Sequence, residues 1–195
     1  MLVLGMNPTV FCDICSMNLV LMGYMGSGKS AVGRRLAELL QREFIDLDAL
    51  IEQRLESTIS EIFDQKGAVY FRKYESEILR EICGRPGNVV IALGGGTPIY
   101  GDNLKWINDS EFNLSIYLKI SIQPLVKRLW PERHHRPIIA SLSTPEALED
   151  FVRKHLFERT FAYMQAQLVF DVSVLDLDSV AKEILNAVQN RIGDY

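Results

Sequence analysis

One eight-residue segment carries the residue types that bind a nucleoside triphosphate. Residues 23–30 read GYMGSGKS, which fits the pattern G-x-x-x-x-G-K-[ST]. An apolar run at 19–22 precedes the segment and an amphipathic pattern follows it, which is the strand–loop–helix context that the motif requires. Its glycines allow backbone N–H groups to surround phosphate oxygens at a helix N-terminus. We therefore expect Lys29 to contact the β- and γ-phosphates and the Ser30 hydroxyl to ligate Mg²⁺.

Two carboxylates follow the next short apolar run. Asp46 and Asp48 come directly after Phe44 and Ile45, and parallel α/β sheets bind ligands at the carboxyl ends of their strands. Residues two apart share one face of a strand, provided that the strand extends as far as Asp48. One could act on Mg²⁺ through water, and the other could hydrogen-bond an acceptor hydroxyl and help to remove its proton. The alternative is a solvated strand end or a helix N-cap, a position that Asp favours.

Three further features could hold an acceptor molecule. Gly94, Gly95 and Gly96 end another apolar run, where the lack of side chains lets a ligand approach the backbone, although a flexible turn would look the same. Arg72 lies in a long amphipathic segment. An arginine on a helix surface is usually solvated, and the same alternative applies to Arg159.

The phosphate loop leaves several classes of nucleotide-binding protein open. The chain has no Asn-Lys-x-Asp, the motif with which guanine-nucleotide switches read the base. A motor or transport ATPase usually needs a longer chain than 195 residues. A small-molecule kinase fits this length, and it needs an acceptor site facing the γ-phosphate and a cationic lid that shields the transfer.

The elements that must position these residues alternate along the chain. Short apolar runs predict strands at 19–22, 44–45, 89–93, 114–118 and 168–170, and helical patterns lie at 31–40, 49–55, 59–63, 70–83 and 180–188. Alternating strands and helices predict an α/β protein with a doubly wound parallel sheet of five strands. Residues 130–144 are rich in basic residues, prolines and serines and are expected to form a mobile loop.

Composition limits the choice further. The 195 residues are 48% hydrophobic and 24% charged, which excludes disorder of the body of the chain and fits one domain. The net charge of −4 argues against a nucleic-acid partner. No apolar run reaches the roughly 20 residues that span a bilayer, so no membrane partner is expected. Three cysteines do not form a disulfide framework, which favours a reducing, cytoplasmic location.

Residues 1–16 are expected to be a non-essential N-terminal extension. They lack the basic start of a signal peptide, since their first charge is Asp13. Cys12 and Cys15 form a lone Cys-x-x-Cys without a second pair, so a loose tail is favoured over a zinc or redox site. A strand-like run opens after Met17, which suggests the hypothesis that translation begins there.

Taken in order, these motifs resemble those of the shikimate kinase family, P-loop enzymes that phosphorylate the 3-hydroxyl of shikimate with ATP. The resemblance covers residues 17–191. Beyond the phosphate loop, the similar fragments are FIDLD followed by Ile51-Glu52, Gly67 followed by Phe71-Arg72 and Glu75, residues 89–96, Arg136-Pro137-Ile138-Ile139, and Arg159-Thr160-Phe161-Ala162-Tyr163. The chain departs from the family pattern at Ala68, which replaces an acidic residue, and at Phe161 and Ala162, which replace Pro and Leu.

The resemblance implies a P-loop three-layer α/β sandwich for residues 17–195, with a five-stranded parallel sheet. It places a substrate-binding helical region over about 46–84 and a mobile lid over about 128–144, where 127–136 holds four basic residues. It implies a monomer that uses ATP and Mg²⁺ and has shikimate as its small-molecule partner. The products would be ADP and shikimate 3-phosphate, in a step of chorismate and aromatic amino-acid biosynthesis.

The resemblance also implies a role for each candidate residue. Asp46 would lie near Mg²⁺ through water, with Ser30 as the other metal residue. Lys29, Asp48 and Arg136 would be catalytic. ATP would be bound by Gly26, Ser27, Gly28, Lys29, Ser30, Ala31 and Arg136. Shikimate would be bound through its hydroxyls, its carboxylate and backbone contacts by Asp48, Arg72, Gly94, Gly95, Gly96 and Arg159.

Three alternative functions stay open at this point. A kinase for another small hydroxy acid, such as gluconate, would keep the phosphate loop and lose the joint pattern of Asp48, Arg72 and Arg159. A non-catalytic nucleotide-binding regulator would lose Lys29, Asp48 or Arg136, and all three are present. A switch ATPase with a protein partner needs a partner surface or a further domain, for which 195 residues leave little room.

Overall fold

Five parallel strands form the centre of the molecule. The computed structural model describes residues 17–174 and 176–193, and the expected N-terminal extension with Cys12 and Cys15 lies outside them. The sheet has the order β2-β3-β1-β4-β5, and every neighbouring pair is parallel. The strands are β1 (Asn18–Met22), β2 (Glu43–Asp46), β3 (Val89–Ala92), β4 (Asn113–Lys119) and β5 (Leu168–Asp171).

Helices cover both faces of this sheet. Every residue of β1 and β3 is buried, as strands of a parallel sheet are when helices pack on both sides. The predicted three-layer α/β fold is confirmed. The helices are α1 (Lys29–Leu40), α2 (Leu47–Leu55), α3 (Ile59–Cys83), α4 (Asn103–Asp109), α5 (Ile122–Glu132), α6 (Pro145–Tyr163) and α7 (Leu177–Gly193), with 3₁₀ turns at Thr97–Ile99 and Arg133–His135.

Helix α3 joins two segments that the sequence predicts as separate helices. It begins with a capping box, in which the Thr58 hydroxyl accepts from the Glu61 N–H and the Glu61 carboxylate accepts from the Thr58 N–H. Gly67 interrupts the helix with φ 81° and ψ 167°, a conformation that favours glycine. The resulting kink divides the helix between the predicted segments, and the second part turns Phe71 and Glu75 inward.

The loop expected over residues 130–144 begins later in the structure, because α5 continues through Glu132. Leu129 is fully buried, and Trp130 packs on the core with the Arg133 guanidinium 3.9 Å from its ring centroid. These contacts hold the last helical turn although Pro131 has no N–H to donate. The side chain of Ile139 anchors the following turns, since it is fully buried.

Two buried asparagines tie the connection after α3 to the amino-terminal end of the sheet. The Asn18 amide donates to the Arg85 carbonyl and to Asn113 Oδ1, both at 3.0 Å. The Asn113 amide donates to the Cys83 carbonyl at 3.1 Å. Asn18 and Asn113 are paired across β1 and β4. This network therefore fixes the position of the connection that leads from α3 back to the sheet.

We expect Asn18→Ala to lower the free energy of unfolding by about 1–3 kcal/mol, because it leaves buried polar partners unpaired. Urea denaturation followed by circular dichroism measures this change. The matched control is Asn186→Ala at an exposed position of α7, which should stay within about 0.5 kcal/mol. Equal effects of the two substitutions would show that the network contributes nothing.

Candidate active site

The phosphate-binding loop lies between β1 and α1, and its glycines have positive φ angles that other residues rarely adopt. Gly26 has φ 78°, and a Cβ there would lie 2.9 Å from a methyl carbon of Leu129, so this turn requires glycine. Helix α1 begins at Lys29, directly after the loop, which directs its first free N–H groups at the loop. Such an arrangement attracts anions.

The Lys29 ammonium is enclosed by the loop that precedes it. Its Nζ donates to the carbonyl oxygens of Gly23 at 2.9 Å and Tyr24 at 3.1 Å. Burial lowers the pKa of Lys29 to about 8, although Asp48 and Asp46 oppose this shift. Lys29 therefore remains mostly cationic at pH 7, and one of its three donors is left for an anion.

Ser30 and Asp46 form a corner of oxygen ligands beside the loop. The Ser30 hydroxyl donates to Asp46 Oδ2 at 2.7 Å, and Asp46 Oδ1 accepts from the Ala49 N–H at 3.4 Å. Asp46 is the last residue of β2 and the N-cap of α2, so both its predicted metal proximity and the capping alternative fit its position. Hydroxyl and carboxylate oxygens are ligands that Mg²⁺ accepts.

Asp48 stands on the first turn of α2, so the prediction that it shares a strand face with Asp46 is wrong. The chain turns into the helix directly after Asp46, because that residue caps it. Burial raises the pKa of Asp48 to about 6, with further contributions from Glu75 and Asp46, while Lys29 and Arg72 act in the opposite direction. Half of the Asp48 population is therefore protonated near pH 6.

Two pockets meet at Asp48. The loop pocket, with a volume of about 530 Å³, is bordered by the loop, Ser30, Asp46 and Arg128. The helix pocket, of about 330 Å³, lies between α3, α6 and the segment after α5. The residues that line both pockets are Met25, Asp48, Gly95 and Arg136.

The walls of the helix pocket combine an apolar surface with two guanidinium groups. Ile59, Phe63 and Phe71 supply the apolar side, while Arg72 and Arg159 supply the charge. Both arginine side chains are largely buried, with 26% and 17% exposed. The pocket therefore fits a small molecule with an apolar face and an anionic group.

A buried carboxylate orients Arg72. Glu75 is fully buried and accepts from Arg72 Nη1 at 2.6 Å and from the Thr97 hydroxyl at 2.6 Å. A Cβ on Gly94 would lie 2.7 Å from Asp48 Oδ1 and 3.1 Å from Glu75 Oε1. The first glycine of the triplet is therefore required by the close approach of two carboxylates, and the flexible-turn alternative does not describe it.

Residues of α6 contact Gly95 and Arg159, and a residue of α3 contacts Gly96. The Tyr163 hydroxyl donates to the Gly95 carbonyl at 2.6 Å, and Gly96 lies against the Arg72 guanidinium. Arg159 Nη1 donates to the His155 carbonyl at 2.8 Å. Because these bonds use only part of the Arg159 fork, further donors remain for a ligand.

Arg136 lies where the predicted lid crosses the two pockets. Its Nη2 donates to Glu132 Oε2 at 2.9 Å, and its Nε is buried without a hydrogen-bond partner among the described residues. A buried donor without a partner is costly, so an incoming anion would satisfy it.

The replacements Phe161 and Ala162 leave the helix that carries Arg159 intact. Helix α6 runs without a break to Tyr163, Phe161 is 81% exposed, and Ala162 packs against the core. The departure from the family's Pro-Leu therefore changes an outer surface at Phe161 and a contact with the core at Ala162.

The structure brings together every residue predicted for the site. Gly28 and Ala31 line the loop pocket, while Ser27 is buried beneath it. Sequence reasoning gave no role in the site to several residues of the pockets. Glu75 is one of them, although it belongs to the quoted family motif and stands three positions after Arg72, the spacing of helix neighbours. The missed residues are Arg34 and Arg128 in the loop pocket and His155 and Glu75 in the helix pocket.

The described parts of the chain contain neither a candidate metal cluster nor a membrane-spanning helix. Within residues 17–174 and 176–193, no cluster of three or more His, Cys, Asp or Glu side chains is arranged to bind a metal ion. In the same residues no helix has the length and apolarity needed to cross a membrane.

The arrangement defines a class of protein. A phosphate-binding loop opens onto a second, arginine-lined pocket, and a carboxylate and an arginine border both. This is the arrangement of a P-loop kinase that acts on a small molecule.

Comparison with known proteins narrows the class to one family. The model of the shikimate kinase family matches residues 25–189. A shikimate kinase of Flavobacterium johnsoniae is 41% identical over 168 residues, which are 86% of this chain and 96% of that protein. The chain therefore belongs to the shikimate kinase family.

Solved structures agree with this assignment. A shikimate kinase from Bacteroides thetaiotaomicron superposes with a TM-score of 0.81 at 32% identity, over 89% of this chain and 98% of the other. A shikimate kinase from Acinetobacter baumannii, solved in complex with shikimate, has a TM-score of 0.81 at 30% identity, over 93% and 98% of the two chains.

We expect kcat/KM for the acceptor to rise with pH between about 5 and 7. The carboxylate form of Asp48 increases as pH rises through its pKa of about 6, and only this form accepts a proton. Loss of the Lys29 charge should lower kcat/KM above a pKa of about 8. Initial rates across pH 5–9 measure both limbs.

Asp48→Asn is the control for the acidic limb. Its residual activity should no longer rise between pH 5 and 7, because the amide does not titrate there. An acidic limb that persists in this variant would assign it to another group.

Proposed function

We propose that this chain transfers the γ-phosphoryl group of ATP to the 3-hydroxyl of shikimate, giving ADP and shikimate 3-phosphate. The observation that carries the proposal is the shared border of the two pockets, where Asp48 and Arg136 would face both substrates. The Acinetobacter baumannii relative, which was solved with shikimate, supports the identity of the acceptor.

In this proposal the helix pocket binds shikimate. Arg72 and Arg159 hold its carboxylate, since their forks match carboxylate geometry. Phe71 and its apolar neighbours cover a face of the ring, while Asp48 accepts hydrogen bonds from hydroxyl groups. Gly94, Gly95 and Gly96 leave the backbone accessible to the substrate.

The loop pocket binds the phosphates of ATP. The backbone from Gly26 to Ala31 surrounds them, and Lys29 exchanges carbonyl partners for phosphate oxygens. Ser30 and Asp46 hold Mg²⁺, with Asp46 acting through water. When bound, Mg²⁺ neutralises charge on the β- and γ-phosphate oxygens.

Transfer requires proton removal on one side and charge stabilisation on the other. Asp48 draws the proton from the attacking hydroxyl while that oxygen forms its bond to phosphorus and the bond to the β-phosphate oxygen breaks. Lys29 and Arg136 stabilise the charge that develops on the transferred group and on the departing ADP. The two pockets hold the reacting groups in place, which removes the entropic cost of bringing them together.

The resemblance to the family also suggests domain bounds, a lid, an oligomeric state, a location and a pathway. We propose that residues 17–195 form the kinase domain, that residues 1–16 are non-essential, and that residues 128–144 move as a lid. The family match at 25–189 supports the first of these. We also propose that the protein works as a cytoplasmic monomer in chorismate and aromatic amino-acid biosynthesis.

The alternative functions have less support. A gluconate kinase would lose the joint pattern of Asp48, Arg72 and Arg159, which this chain has, and relatives that are 41% and 39% identical to the chain are shikimate kinases. A non-catalytic regulator would not need Lys29, Asp48 and Arg136 around one junction.

We expect Arg72→Ala to raise KM for shikimate by about 10- to 100-fold, the loss expected of a charge-assisted hydrogen bond. KM for ATP should change by less than about threefold, because Arg72 lies outside the loop pocket. Steady-state kinetics with each substrate varied measures both constants. The matched control is Lys73→Ala, because the Lys73 side chain is 78% exposed. This substitution should leave both KM values unchanged. Equal increases of the two KM values would refute the carboxylate role of Arg72.

An ADP-release assay with shikimate, quinate and gluconate offered side by side tests the acceptor itself. We expect Mg²⁺-dependent turnover with shikimate that exceeds the turnover with either other acid. Lys29→Ala should reduce this turnover by about 100-fold or more, since it removes a charge that stabilises the transition state. Absence of shikimate-dependent ADP release from the intact chain would overturn the proposed function.

A further inference from the structure

A hydrogen bond joins the phosphate loop to the helix that carries Arg159. The Tyr24 hydroxyl and His155 Nδ1 lie 2.8 Å apart, between residues 131 positions apart in the chain. The two rings meet edge to face at a centroid distance of 5.5 Å, and Phe151 packs on the other side of His155 at 5.0 Å. Tyr24 is 2% exposed and His155 is half-buried, so this contact is partly shielded from bulk water.

Each partner of this bond is also bonded to a residue proposed to bind a substrate. The Tyr24 carbonyl accepts from Lys29 Nζ at 3.1 Å, and the His155 carbonyl accepts from Arg159 Nη1 at 2.8 Å. Three hydrogen bonds therefore connect Lys29, Tyr24, His155 and Arg159 in one line. The line runs from the loop pocket to the helix pocket.

Both members of the central pair are uncharged at neutral pH. Burial raises the pKa of Tyr24, although the Arg159 charge opposes this. Burial and the Arg159 charge lower the pKa of His155, against a small opposite effect of Glu158. The bond is thus an ordinary neutral hydrogen bond, whose worth depends on geometry and is insensitive to salt.

Nucleotide binding must disturb one end of this line. Lys29 has three N–H donors, and two of them are used by the carbonyls of Gly23 and Tyr24. Contact with oxygens of two phosphates requires Lys29 to release at least one carbonyl. When the carbonyl that Lys29 releases is that of Tyr24, the line differs between the free and the nucleotide-bound loop, which is the differential contact that coupling between two sites requires.

We propose that the Tyr24–His155 hydrogen bond is a strut that couples nucleotide binding in the loop pocket to acceptor binding in the helix pocket. This inference rests on the proposed function. Tyr24 and His155 act as positioning residues, since they set the places of Lys29 and Arg159 and take no part in the transfer itself. The coupling is carried by contiguous packed groups, and no rearrangement of the domain is needed.

Calorimetric titration of shikimate into the full chain, with and without saturating Mg²⁺ and a non-hydrolysable ATP analogue, measures the coupling. In the unsubstituted protein the two Kd values should differ by at least about threefold, the scale of one neutral hydrogen bond. Titration of the same ATP analogue with and without shikimate must give the same factor, because coupling is reciprocal. A factor of one in both titrations would overturn the proposal.

Two substitutions remove the hydrogen bond while they keep an aromatic ring at each position. In Tyr24→Phe and His155→Phe the ratio of the two Kd values should move to about one, and the double variant should lose no more than either single variant. His155→Asn should retain most of the ratio, because its amide lies where Nδ1 stands. Tyr100→Phe, at an exposed position outside both pockets, is the matched control and should keep the full ratio.

The remaining outcomes separate the strut from other roles. A weaker Kd for shikimate with an unchanged ratio would make Tyr24 and His155 direct substrate contacts and overturn the coupling. A lower Tm with an unchanged ratio would make the bond purely structural and overturn it as well. Failure of the intact chain to phosphorylate shikimate would instead overturn the proposed function, because the titrations need binding and no turnover.

Discussion

The buried carboxylate of Glu75 is the constraint on which the acceptor side of the site depends. A carboxylate that is removed from water is costly unless it is paired and hydrogen-bonded. Arg72 and Thr97 meet this requirement at 2.6 Å each, so α3 and the turn after β3 must keep one relative position. That position brings Glu75 close to Asp48 and contributes to the raised pKa of Asp48. The buried Glu75 therefore both orients Arg72 and contributes to the raised pKa of Asp48.

The same economy is seen in the distribution of cations. The chain has a net charge of −4, yet six cations border the two pockets, and four of these belong to the proposed site, namely Lys29, Arg72, Arg136 and Arg159. Each is held by neutral carbonyls or by a single carboxylate, so donors remain for anionic substrates. Average charge is a poor guide to a ligand when several basic groups lie around one cleft.

The sequence predicted the parts of the site that depend on local conformation. The glycine spacing of residues 23–30 identified the loop because backbone geometry requires those glycines. The sequence predicted neither Glu75 as the partner of Arg72 nor His155 as the partner of Tyr24. Both pairings arise where α3 or α6 packs against distant segments. The helical end of α5 was missed for the same reason: Trp130 and Arg133 stabilise it through stacking, and propensity alone does not show this.

The two carboxylates of the FIDLD segment show how packing separates residues that look alike in sequence. Asp46 ends a strand, caps a helix and accepts from the Ser30 hydroxyl, so its oxygens are directed at the loop and suit a cation. Asp48, two positions later, lies inside the helix, has lost water and faces Glu75. Its raised pKa brings the proton affinity of Asp48 closer to neutrality, which suits a group that must take up a proton and release it again. The turn from β2 into α2 therefore gives the proposed metal residue and the proposed base different surroundings within three residues.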